Sequence, residues 1–82
     1  MKELLKRLAA AEKAADEADR AYNEAPESKE AEEAFDKAYD EEFKLYIEAA
    51  EGIVKFTNGK INFETAKAMI ATKRKELETL FA

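Results

Sequence analysis

Eighty-two residues with a net charge of −5, no cysteine and no histidine leave few options open. A chain this short buries only roughly 60–65% of its unfolded surface, which leaves no room for a deep pocket. The two missing residue types remove disulfides, thiol nucleophiles, the commonest acid–base group and nearly every zinc or haem site.

Apolar residues at 46%, many of them alanine, and charged residues at 40%, with two Gly and one Pro, predict an all-α chain. The expected architecture is a single domain over residues 1–82. Three antiparallel helices, at about 2–22, 28–57 and 62–81, form an elongated coiled-coil-like bundle around the long central one. Apolar runs reach only four residues, as in Leu8 to Ala11, which argues against a membrane span or a signal-peptide core. The sequence therefore predicts a soluble chain, cytoplasmic by default.

In the first helix Leu4, Leu8, Ala11, Ala15, Ala18 and Tyr22 alternate spacings of four and three, a heptad seam. Its large side chains come first and alanines follow, so the second half should hold less firmly. Pro26 lacks a backbone donor and Ser28 can cap exposed amides, which together mark a short loop and a new helix. Folding the hairpin at that loop pairs Leu4 with Tyr46.

The central helix carries two apolar rows. One contains Ala31, Phe35, Ala38, Leu45, Ala49, Gly52 and Phe56, and the other Tyr39, Phe43, Tyr46, Ala50 and Ile53. At about 100° per residue they cover more than half the circumference, as packing against two neighbours requires. Asn58-Gly59 should close this helix through the left-handed conformation that both residues tolerate.

Asn62 is a good cap for the third helix, where Phe63, Ala66, Ile70, Lys73, Leu77 and Leu80 repeat at three and four, with Phe81 alongside. Lys73 is the misfit in that seam. Antiparallel register brings it near Glu42, the acidic residue at the centre of the apolar arc, and predicts a structural ion pair between Glu42 and Lys73. The main core is expected from Leu4, Leu5, Leu8, Phe43, Tyr46, Leu77 and Leu80. At the far tip Ile53, Val54, Phe56 and Phe63 should lack the partners for full burial, which makes them a candidate apolar contact site.

Charge is segregated. Residues 12–51 hold fifteen Asp or Glu against five Lys or Arg, between two mildly basic ends. Such a band repels phosphate, so no direct nucleic-acid binding is expected. Asp16, Asp19, Glu33, Asp36, Asp40 and Glu41 are the acidic candidates for contact with a basic partner. Carboxylate pairs such as Asp40 with Glu41 read as a solvated helix face, and no metal or cofactor is expected. No glycine loop or calcium-loop pattern occurs, and Ser28, the one serine, is a cap without a base, so the chain is not expected to be an enzyme.

Two functions remain. The first is a non-catalytic module that occupies a basic or apolar surface of a partner protein. In size and charge the chain resembles small phage-encoded inhibitors such as anti-CRISPR proteins and DNA mimics. That resemblance implies an inhibitor whose carboxylates stand in for nucleic-acid phosphates. The alternative is a structural or oligomerising bundle, natural or designed, in which the open ends form a homodimer.

Overall fold

The computed structural model describes residues 1–80, and over that range it is helical, with no strand among the described residues. Its helices are α1 (Lys2–Glu24), α2 (Lys29–Phe56), α3 (Phe63–Thr72) and α4 (Arg74–Leu80). They form a rod of 47 × 19 × 18 Å. No described helix is long and apolar enough to cross a membrane.

Local chemistry sets most of the boundaries. Pro26 sits inside a tight turn closed by the Ser28 amide donating to the Ala25 carbonyl at 3.0 Å, where its fixed φ suits the second turn position. The Ser28 hydroxyl then accepts from the Ala31 amide at 3.2 Å and starts α2. At the other end the Gly59 amide reaches the Val54 carbonyl and the Asn58 amide the Lys55 carbonyl. Asn58 and Gly59 have φ of 53° and 81°. This is the paired closure of a helix through left-handed residues. The Asn62 side chain accepts from the Thr65 amide at 2.8 Å and opens α3.

The third segment departs from expectation. Instead of one helix over 62–81, the chain breaks at Lys73, whose φ of −127° and ψ of 37° end α3. A lysine in an apolar seam would leave its charge uncompensated if buried, and the break turns Lys73 outward, where it is exposed. Arg74 helps to close the interrupted end, because its Nε donates to the Ile70 carbonyl at 3.0 Å. Phe81 lies outside the described residues.

The core gathers where three segments meet. Leu5, Leu8 and Ala11 of α1 pack with Leu45, Ala49, Ala50 and Ile53 of α2, Ala66 and Ile70 of α3, and Leu77 of α4. Burial of each large aliphatic group stabilises by roughly 1.5–3 kcal/mol, against about 0.8 for a single methyl or methylene. Most of the grip therefore lies in this half of the rod, and the alanine half towards Pro26 contributes less. Three core expectations need correction. Phe43 is 67% exposed and Leu80 62% exposed, whereas Ile53, expected at an open tip, is 1% exposed.

The register also differs. Leu4 and Met1 lie beside Gly52, not opposite Tyr46, while at the other end the Tyr22 and Phe35 rings sit 5.2 Å apart. α1 extends to Glu24, past the expected end at Tyr22, and so slides along α2 by more than a turn. The Met1 sulfur fills the space that a side chain at Gly52 would take, 2.6 Å from where a β-carbon would stand.

Candidate protein-binding groove

The break at Lys73 determines what is left uncovered on α2. α3 packs over Tyr46, whose hydroxyl donates to the Lys67 carbonyl at 2.6 Å. Beyond the break the chain turns to α1 instead of continuing down α2. Arg74 donates from Nη1 and Nη2 to the two Glu12 oxygens at 2.7 and 3.0 Å. Further along, Glu78 shares a shallow depression with Lys2, Leu5, Lys6 and Ala9 of α1. Among the described residues the strip of α2 just before Tyr46 is left partly open, with Tyr39 and Phe43 exposed.

That strip is aromatic. Phe35 and Tyr39 are 4.6 Å apart and continue the contact from Tyr22. Tyr39 at 39% and Phe43 at 67% are exposed. Tyr39, Glu42, Phe43 and Tyr46 line an open groove of about 250 Å³. These residues follow i, i+3, i+4 and i+7, so one face of one helix supplies the whole floor.

Carboxylates surround it. The Tyr39 phenol is pushed above its ordinary value by partial desolvation and then by the carboxylates of Asp19, Glu42 and Asp16. Glu42 is half-buried, and its carboxyl is raised by desolvation, then by Glu12 and Asp16, with Arg74 opposing. Arg74 does not neutralise Glu42 directly, because the described contacts of its guanidinium go to Glu12 and the Ile70 carbonyl. Among the described residues Glu42 forms no ion pair within 4 Å.

The expected pairing of Glu42 with Lys73 is therefore replaced by Glu12 with Arg74. The misfit at Lys73 is visible in the sequence, but nothing local in the sequence links residue 74 to residue 12. The Tyr46 contact to Lys67 is likewise an interaction that spacing alone did not reveal.

The six acidic candidates do not form one surface. Asp16 and Asp19 of α1 act on Tyr39. Asp36 and Asp40 are exposed and share a strip with Phe43, seven and three residues before it, so they border the groove on its other side. Glu33, also exposed, continues that strip away from the groove. Glu41 lies about 200° round α2 from Tyr39, counting 100° per residue, and faces elsewhere. Of the tip residues, Val54 and Phe63 are half-buried and Phe56 is 62% exposed. Lys67 stands 5.1 Å from the Phe63 ring centre and pairs with Glu64 at 3.3 Å. Among the described residues no group of three or more carboxylates is placed to hold a metal ion.

No protein-family profile, curated protein or solved structure matches the chain.

Proposed function

We propose that this chain is a non-catalytic protein-binding module, and that it meets its partner with the groove of Tyr39, Phe43 and Tyr46 and the carboxylates around it. The observation that carries the reading is the exposure of Tyr39 and Phe43 on a described face bordered by Asp16, Asp19, Asp36, Asp40 and Glu42. Exposed aromatic residues flanked by like charges suit a partner with a basic surface and an apolar or planar contact at its centre. In its sharper form the module is an inhibitor that covers a basic groove, its acidic side chains replacing the phosphates that groove would otherwise bind.

In this reading α1, α2 and the α3–α4 segment run antiparallel as a coiled-coil-like bundle around α2. The contacts of Tyr22 with Phe35 and of Met1 with Gly52 support it. The bundle acts as a stiff support that holds the aromatic strip open.

The test is affinity capture from the native host with the wild-type chain, Phe43→Asp and the double variant Asp16→Lys, Asp19→Lys. A partner retained by wild type, released by raised salt and lost with both variants is the expected result. Retention that ignores salt and both variants would overturn the proposal, as would light scattering that finds a stable dimer with Phe43 covered.

A further inference from the structure

We infer that the groove of Tyr39, Phe43 and Tyr46 receives one arginine side chain of the partner, its guanidinium lying on the rings and hydrogen-bonding Glu42. This rests on the proposed function and specifies its central contact. Three observations converge on it.

The first is size. At about 250 Å³ the groove falls below the range of roughly 300–1,000 Å³ typical of small-molecule pockets. It matches one long side chain better than a cofactor.

The second is the chemistry of its walls. Three aromatic side chains and one carboxylate are what a cation with flat faces requires, because ring faces carry negative charge and attract cations. Glu42 accepts no ion pair within the described chain and so retains an acceptor for an incoming donor. The surrounding field is of the same sign, since Asp16 and Asp19 on α1 and Asp36 and Asp40 on α2 lie on either side. An anionic occupant would be repelled by these carboxylates, and a neutral apolar one would gain contact with the rings but nothing from Glu42 or the surrounding charge.

The third is geometry. The groove is open along one helix face, not closed into a box around a compact charge. A planar guanidinium can stack on such a face and still present a fork of donors to a carboxylate at its edge. A lysine ammonium is more strongly hydrated and offers no plane to stack.

Capped five-residue peptides, alanine except for a central arginine, lysine or citrulline, test the inference by NMR titration of the full chain. The arginine peptide should shift Tyr39, Glu42, Phe43 and Tyr46 most, and bind at least about fivefold tighter than the lysine peptide. The citrulline peptide should give no shift there. Phe43→Ala and Glu42→Gln should each weaken the arginine peptide by about fivefold, with unchanged circular dichroism.

Equal binding of the arginine and lysine peptides, with shifts spread along the acidic residues and no effect of Phe43→Ala, overturns the arginine contact but leaves a basic partner in place. No binding of any peptide, while wild type still captures a salt-released partner, also overturns this inference alone. Absence of both peptide binding and a captured partner overturns the inference and the proposed function together.

Discussion

The ion pair between Glu12 and Arg74 ties the C-terminal segment to α1, and its strength can be worked from its geometry. Two N–H donors meet two carboxylate oxygens at 2.7 and 3.0 Å, with side chains 21% exposed on Arg74 and 38% on Glu12. Fully exposed pairs couple by about 0.2–1 kcal/mol, and loss of one partner from a buried pair costs about 3–5. The bidentate form favours the upper part of the exposed range, while partial exposure keeps it far below the buried value. The expected coupling is about 1 kcal/mol in a cycle of Glu12→Gln and Arg74→Met. Arg74→Met alone should cost about 1.5 kcal/mol, because it also removes the donor to the Ile70 carbonyl and leaves the Glu12, Asp16 and Glu42 carboxylates facing one another. In a chain of this size that is a fall in Tm of about 6–12 °C. Urea unfolding followed by circular dichroism at low salt, repeated at about 0.5 M salt, measures both quantities. Coupling below about 0.3 kcal/mol at low salt would show that α4 is placed by Leu77 packing and not by this contact.

Other substitutions probe the same reasoning elsewhere. Glu42→Gln should be more stable than wild type at pH 7. Since the folded state holds the Glu42 proton above the ordinary value of 4.5, the destabilisation from its charge is present above the raised value and fades as pH falls towards 4.5. The advantage of the Gln variant should therefore shrink over that window, and an advantage that grew on acidification would contradict the assignment. Asn58→Gly should stabilise by about 0.5–1 kcal/mol, because φ is 53° there. Gly59→Ala, at 81°, should cost about 1 kcal/mol despite open space around it. Tyr46→Phe, which removes the bond to Lys67, should cost about 1 kcal/mol in the same urea assay. Phe43→Ser should lie within about 0.5 kcal/mol of wild type, whereas Leu45→Ala, at 3% exposure, should lose about 2–4.

Features controlled by neighbours in the sequence were legible there. Ser28, Asn62 and the Asn58-Gly59 pair end or begin helices through bonds that span three to five residues, so their roles follow from residue type. The double apolar width of α2 was readable for the same reason. Placement across the fold was not. Lys73 is conspicuous in its seam, yet whether the chain answers with an ion pair or a break depends on what α1 offers nearby. Glu12 and Arg74 supply the alternative, sixty-two positions apart. Exposure of Tyr39 and Phe43 follows from that choice, because periodicity defines an apolar face without saying how much of it the next helix will cover. The acidic candidates show the same limit. Their composition was evident and helical spacing alone turns Glu41 away from Tyr39, while the approach of Asp16 and Asp19 on α1 to Tyr39 on α2 needed three dimensions.

The rod is only 18–19 Å across, and each of its helices keeps exposed residues beside its buried ones, so no helix is enclosed by the others. Shelter in this molecule is a matter of position along the axis, not of depth. Amide hydrogens around Ala49 and Ile53 should accordingly exchange with solvent most slowly, with exchange quickening towards Pro26 as leucine gives way to alanine.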